Sequence, residues 1–130
     1  ENIIRVSASL QNQFDDFSYS VVAQPKHVTF NTQETDELIT ISTSSCKIII
    51  KKNPVRFSFQ DANGKTLNED DSFGISWIGE QVTCYKKLQH EERFIGLGEK
   101  TGPLDRKGSA YENWNTDAYA YNKDTDPLYS

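Results

Sequence analysis

The chain alternates apolar and polar positions in short runs, separated by polar breaks about every 8–12 residues. The clearest run is Val55–Asp61, where Val55, Phe57 and Phe59 fall on one side and Arg56 and Ser58 on the other. This is the two-residue period of a β-strand. Further strands are predicted at Phe17–Ala23, His27–Asn31, Glu37–Thr43, Cys46–Lys52, Phe73–Gly79, Gln81–Leu88 and Arg93–Gly98.

The breaks between these runs have the chemistry of tight turns. Asn63–Gly64 supplies the positive φ values of a tight hairpin turn, and Gly79 separates the next two strands. No window holds an apolar 3.6-residue period for three turns, so no long helix is expected. The pattern predicts an all-β fold, an antiparallel β-sandwich, whose alternation gives way to loop chemistry after Gly98.

Composition narrows the class of protein. The 130 residues suit one domain, and the net charge of -5 argues against nucleic acid, which demands a basic face. The longest apolar run, Ile48–Ile50, is far shorter than a membrane span, so no membrane partner is expected. The chain begins with Glu1 and contains no methionine, which indicates a removed targeting segment or a piece of a longer polypeptide.

The two cysteines, Cys46 and Cys84, fit neither a zinc site nor a disulfide scaffold. They could pair across strands in an exported protein, but we favour buried thiols. The compartment is therefore left open.

Two motifs suggest ligands and fail on spacing. In "GLGEKTG" the third glycine falls one residue late for a dinucleotide-binding loop, and Phe59 in "FQDANGKT" stands where a phosphate loop needs its first glycine. Asp61 and Asn63 begin like a calcium-binding loop, but Gly64 comes too early and no acidic residue closes the loop. We expect no nucleotide, no metal and no other cofactor.

Catalytic constellations have no support in the spacing either. Glu99, Asp105, Asp117, Asp124 and Asp126 could supply paired carboxylates for a glycosidase, but nothing in the sequence pairs them. The two histidines lie far from any nucleophile pattern.

The last thirty residues are rich in aromatic, amide and acidic side chains. Tyr111, Trp114, Tyr119, Tyr121 and Tyr129 are interleaved with Asn115, Asp117 and Asp126. Sugars bind through apolar faces against rings and through hydroxyl groups against carboxylates and amides, so this combination suits carbohydrate. The alternative is that the rings pin an irregular loop onto the sandwich, and composition alone favours that alternative.

Three motifs in order resemble the N-terminal domain of glycoside hydrolase family 31, the α-glucosidases and α-xylosidases. They are Gly96–Glu99 ("GLGE"), Trp114–Asp117 ("WNTD") and Asp126–Tyr129 ("DPLY"). The upstream segment "PVRFSFQDANGKTLNED" also resembles the family's strand–turn–strand. The resemblance is good from about Cys46 onward and thin before it.

The resemblance implies a galactose-mutarotase-like β-sandwich over residues 1–130 that packs beside a (β/α)8 barrel. Such a barrel takes about 250 residues and would carry both catalytic carboxylates, so no catalytic residue is expected in this chain. Residues 99–130 would form a loop that reaches toward the barrel, and Glu99 would anchor that loop.

The family pattern also implies substrate contacts within this loop. Asp117 would accept hydrogen bonds from hydroxyl groups of an α-linked oligosaccharide, and Tyr119 would line the same opening. Tyr121 and Trp114 are further substrate-binding candidates, with Asp124 and Asp126 after them. The resulting expectation is a non-catalytic domain of a retaining α-glycosidase, most simply an α-glucosidase. A free-standing carbohydrate-binding module and a purely structural sandwich are the alternatives.

Overall fold

The structure is a computed structural model, and it describes residues 3–14, 17–23, 26–114 and 120. Within these residues the secondary structure consists of β-strands, with no helix. The strands are β1 (Asn31–Glu34), β2 (Leu38–Ser42), β3 (Cys46–Lys52), β4 (Val55–Asp61), β5 (Thr66–Ile78) and β6 (Gln81–Lys86).

The six strands form one antiparallel sheet in the order β1-β2-β3-β4-β5-β6, a meander in which each strand pairs with the next along the chain. The predicted all-β, antiparallel fold is confirmed. The described strands supply one layer of the predicted sandwich.

The apolar face of this layer is centred on β3 and β4. Ile48 pairs with Phe59 and Ile50 pairs with Phe57 across the two strands. The rings of Phe57 and Phe59 lie nearly parallel, with centroids 6.3 Å apart. All four side chains are half-buried, and their arrangement confirms the two-residue period predicted for Val55–Asp61.

The predicted hairpin turn after β4 is present, but of Asn63 and Gly64 only Gly64 has the predicted positive φ. Gly64 has a φ of +83° and donates its N–H to the carbonyl of Asp61 at 3.1 Å. The Asp61 carboxylate accepts the N–H groups of Asn63 at 2.9 Å and Lys65 at 2.8 Å. This carboxylate therefore organises the turn, as aspartate side chains commonly do.

An ion pair between a buried carboxylate and an exposed lysine joins the last two strands. Asp70 on β5 pairs with Lys86 on β6, and the Asp70 side chain is only 1% exposed. One carboxylate oxygen lies 2.5 Å from the Lys86 ammonium, and the other accepts the backbone N–H of Phe57 at 2.8 Å. The ammonium also lies 5.4 Å from the centroid of the Phe59 ring. Asp70 thus ties β4, β5 and β6 together.

The register of β5 and β6 shifts between Asp70 and Ile75. At this irregularity Gly74 has a φ of +59°, and a Cβ placed on it would lie 2.8 Å from Nη1 of Arg56. The guanidinium of Arg56 donates to the carbonyl oxygens of Ser72 and Val55. The bulge therefore brings Gly74 against an arginine that is itself held by backbone carbonyls.

Three predicted strands are wrong. Residues 17–23 contain a turn in which the Ser18 hydroxyl accepts the N–H groups of Ser20 and Val21, so a local side-chain bond replaces a ladder bond. Only Asn31 of the predicted His27–Asn31 strand belongs to β1.

The strand predicted at Arg93–Gly98 is absent because its last residues have the wrong backbone conformation. Gly96, Leu97 and Gly98 have φ values of +115°, +69° and +74°. A β-strand needs negative φ, so three successive positive values end any pairing there.

Cys46 lies on β3 and Cys84 on β6, and two other strands separate them. The two thiols are not joined to each other. Cys46 is buried, as predicted, whereas Cys84 is exposed, so the prediction of a buried thiol is wrong for Cys84.

The chain divides into two compact units, Glu1–Leu88, which contains the sheet, and Gln89–Ser130. In the part of the chain that the structure describes, no helix is long and apolar enough to cross a membrane.

Candidate functional site

The substrate-binding candidates lie at the end of the second unit. Trp114 falls within the described residues and is 68% exposed, so its ring is open to a ligand. Asp117, Tyr119 and Tyr121 lie outside the described residues. The same holds for Asp124 and Asp126.

The segment that leads to Trp114 is organised around Arg106. This residue is only 9% exposed, although arginine is seldom buried without partners. Its guanidinium donates to the carbonyl of Thr101 at 2.6 Å and to that of Lys100 at 3.0 Å. Its own backbone N–H donates to the carbonyl of Phe94 at 2.8 Å. One residue thus joins the two sides of the loop that runs from residue 94 to residue 106, through its backbone N–H and its side chain.

Tyr111 completes this cluster. The guanidinium carbon of Arg106 lies 5.3 Å from the centroid of the Tyr111 ring, within the range of a cation–π contact. A Cβ placed on Gly102 would lie 3.6 Å from Nη1 of Arg106 and 4.0 Å from the hydroxyl of Tyr111. The Gly102 backbone therefore packs directly beside the arginine–tyrosine pair.

The Nε of Arg106 is buried, and no acceptor for it is present among the described residues. A fully paired guanidinium uses all of its N–H groups, so this one retains donor capacity.

A second contact closes the loop close to Trp114. The ammonium of Lys100 donates to the backbone carbonyl of Glu112, two residues before Trp114. Glu99, predicted to anchor the loop, is exposed and forms an isolated β-bridge. Residues 99–112 are thus tied to one another by backbone and side-chain bonds up to the start of the Trp114–Asp117 motif.

A shallow depression of about 530 Å³ lies on the same unit. Its lining carries both signs of charge and consists of His90, Glu91, Glu92, Arg93, Asp105 and Lys107. The N–H groups of Lys107 and Phe94 donate to Asp105 and lower the pKa of its carboxyl below the ordinary value. Asp105 therefore serves the backbone as a fixed acceptor.

No group of three or more histidine, cysteine, aspartate or glutamate side chains among the described residues is placed to hold a metal ion. Asp61, which begins a calcium-like motif, already accepts two backbone N–H groups.

Sequence reasoning missed Arg106. The only local signal is an arginine in a Gly- and Asp-rich loop, five residues before a tyrosine. An arginine in such a loop is normally expected to be solvent-exposed. Its contacts become visible only once the path of the loop is known.

Comparison with known proteins gives the family. A model described as the glycosyl hydrolase 31 N-terminal galactose mutarotase-like domain matches residues 1–130. The chain is 35% identical over 135 aligned residues to Alpha-glucosidase 2 of Bacillus thermoamyloliquefaciens, a match that covers 99% of this chain and 17% of that protein. It is 40% identical over 80 residues to an alpha-glucosidase of Saccharolobus solfataricus, covering 58% of this chain and 11% of that protein.

Among solved structures, the chain resembles the family 31 dextranase of Flavobacterium johnsoniae, in a mutant form complexed with isomaltotriose. The TM-score is 0.81 at 32% identity, and the match covers 93% of this chain and 16% of the dextranase. The chain spans less than a fifth of the length of each of these relatives. Fold, motif order and similarity agree, and this chain belongs to the galactose mutarotase-like N-terminal domains of glycoside hydrolase family 31.

Proposed function

We propose that this chain is the non-catalytic N-terminal domain of a retaining α-glycosidase with α-glucosidase activity. Its role is to shape the substrate pocket and to support a catalytic (β/α)8 barrel. The observation that carries the proposal is the 35% identity to Alpha-glucosidase 2, which extends over 99% of this chain but only 17% of that enzyme. Because the match covers so small a share of that enzyme, we expect a domain like this one to act together with the rest of the enzyme and not alone.

Within this role, residues 99–130 form the loop that reaches the active-site opening of the barrel. The described part of the loop supports this, because Arg106 and Lys100 tie its residues together while Trp114 is left exposed. A fixed loop with an exposed ring at its end is suited to a flat apolar sugar face.

The loop presents Asp117, Tyr119, Tyr121 and Trp114 to an α-linked oligosaccharide. Asp117 accepts hydrogen bonds from sugar hydroxyl groups, and the rings supply apolar contact. The relatives include an alpha-glucosidase and a dextranase complexed with isomaltotriose, which favours a glucose-containing substrate. The isolated chain supplies only this wall of the pocket and none of the catalytic carboxylates.

The test compares the isolated chain with the complete enzyme. The complete enzyme is expected to hydrolyse p-nitrophenyl α-glucoside, and the isolated chain is expected to have no activity and no measurable affinity for maltooligosaccharides. Hydrolysis by the isolated chain would refute the non-catalytic role. Tight binding of maltooligosaccharide by the isolated chain would instead favour a free-standing carbohydrate-binding module.

A further inference from the structure

We propose that Arg106 is a positioning residue for the substrate, acting through the segment that carries Asp117. The inference rests on the proposed function, since it concerns how the same wall of the pocket is held in place. Arg106 is not a substrate ligand in this proposal. It fixes the loop from which the ligands extend.

The Arg106 side chain is buried in spite of its charge. Arg106 is 9% exposed, and a guanidinium is removed from water at a cost that only well-placed partners offset. The ammonium of the exposed Lys107, next in sequence, donates to the carbonyls of Gln89 and His90 at the longer distance of 3.4 Å. The two neighbouring cations therefore differ in burial, and the bonds of the buried Arg106 side chain, at 2.6 and 3.0 Å, are the shorter ones.

The contacts of the Arg106 guanidinium define its geometry. A guanidinium is a rigid planar fork, so the carbonyls of Thr101 and Lys100 on its edge and the Tyr111 ring near its face together restrict both its position and its orientation. A lysine ammonium has no plane and cannot reproduce this combination. The three contacts link residues 100 and 101 to residue 111.

The Arg106 cluster is close in sequence to the substrate-binding candidates. Tyr111 stands three residues before Trp114 and six before Asp117. A displacement of the loop at Tyr111 therefore has only three residues of chain to cross before Trp114, the first substrate-binding candidate. Small displacements of a substrate-positioning group are costly, because a misplacement of about 1 Å can reduce catalysis about 100-fold.

The experiment is a double-mutant cycle in the complete enzyme, using Arg106→Gln and Asp117→Ala. We expect each single variant to lower kcat/KM for an α-linked oligosaccharide by about tenfold or more, the scale of losing a hydrogen bond to a charged group. We expect the double variant to be no worse than Asp117→Ala alone, because Arg106 acts through Asp117. Lys107→Gln is the matched control and should retain the activity of the parent enzyme.

Two further measurements guard against a folding defect. Arg106→Lys keeps the charge and should remain defective in kcat/KM, since it cannot bind both carbonyls while lying on Tyr111. Activity on p-nitrophenyl α-glucoside should fall less than activity on the oligosaccharide, because the smaller substrate has fewer sugar hydroxyl groups to contact this wall of the pocket. A uniform loss on both substrates would show a structural role only and would overturn the proposal.

The outcomes separate the two claims. If Asp117→Ala is costly but Arg106→Gln equals Lys107→Gln, or adds its full cost to that of Asp117→Ala, the positioning role is wrong and the proposed function stands. If Asp117→Ala leaves kcat/KM unchanged, Asp117 is not a substrate contact, and the substrate-binding part of the proposed function fails together with the positioning role.

Discussion

The Asp70 carboxylate lies 2.5 Å from the Lys86 ammonium across strands β5 and β6, and the Asp70 side chain is 1% exposed. The same carboxylate accepts the N–H of Phe57 on β4. We predict that Asp70→Ala destabilises the complete enzyme by about 2–4 kcal/mol, because it leaves a buried N–H and an ammonium without their acceptor. Denaturant unfolding followed by the loss of the sheet signal measures this cost.

Glu34 and Lys52 provide the matched control. Their ion pair is 2.6 Å long, but the Glu34 side chain is 62% exposed. Glu34→Ala should cost less than about 1 kcal/mol, as for other exposed pairs. Equal costs for the two variants would show that burial of Asp70 does not matter.

The bulge in β5 gives a prediction for Gly74. Gly74→Ala meets both a positive φ of +59° and a Cβ position 2.8 Å from Arg56. The control, Gly79→Ala, meets a φ of +60° with nothing within 4 Å. We expect Gly79→Ala to cost about 1 kcal/mol from backbone strain and Gly74→Ala to cost more, because Arg56 must also leave the Ser72 carbonyl.

Thermal unfolding of both variants, alone and with Arg56→Ala, checks this explanation. Arg56→Ala should remove the excess cost of Gly74→Ala and leave that of Gly79→Ala unchanged. An excess that persists without Arg56 would rule out the close approach as its cause.

The Asp105 carboxyl gives a pH dependence. The N–H groups of Lys107 and Phe94 hold its pKa below the ordinary value of 3.8 in the folded chain. Folding therefore favours the charged form of Asp105. This form adds to the free energy of unfolding at pH values above the pKa of the unfolded chain, and the added stability is lost as the pH falls through the lower pKa of the folded chain. Asp105→Asn keeps an acceptor oxygen but removes the charge.

We expect Asp105→Asn to be less stable than the parent at neutral pH and to approach it in acid. The difference in melting temperature should shrink as the pH falls through and below 3.8, the ordinary pKa of the carboxyl. A difference that stays constant across this interval would show that the charge of Asp105 makes no contribution.

Trp114 is 68% exposed, and in the proposed function its ring contacts the substrate. In the complete enzyme, Trp114→Ala should weaken oligosaccharide binding by about 0.5–1.5 kcal/mol, and Trp114→Phe should retain most of the affinity. Tyr19→Ala, at an aromatic residue that is 95% exposed and outside the candidate site, is the control and should leave KM unchanged. Equal KM values for all three variants would exclude a sugar contact at Trp114.

The sequence predicted the centre of the sheet well because both the strands and the turn that follows them are specified by residues close together in the chain. Strands β3 and β4 match their predicted bounds, and Asn63–Gly64 forms the turn after them. Alternation together with a hairpin turn specifies both the strand and its partner.

Prediction failed where alternation was present without such a partner. Residues 17–23 alternate well, yet the Ser18 hydroxyl binds the backbone locally instead. In Arg93–Gly98 the apolar pattern gave no sign that Leu97 would have a positive φ. Period two describes a side-chain pattern and does not by itself provide a neighbouring strand.

The candidate site was reached mainly through family motifs, since isolated aromatic and acidic residues do not reveal a pocket. The sequence did not predict a role for Arg106, because that role depends on where the loop places two carbonyls and the Tyr111 ring. These contacts are set by the path of the backbone, which composition and spacing do not encode.

The central claim, that this domain contributes a substrate contact to an α-glucosidase, is tested most directly by Asp117→Ala in the complete enzyme. We expect kcat/KM for an α-linked glucose oligosaccharide to fall by a factor that corresponds to about 1–3 kcal/mol, while Glu80→Ala, at the exposed β5–β6 turn, leaves it unchanged. An Asp117→Ala enzyme that keeps the folding stability and the full kcat/KM of the parent would contradict the account.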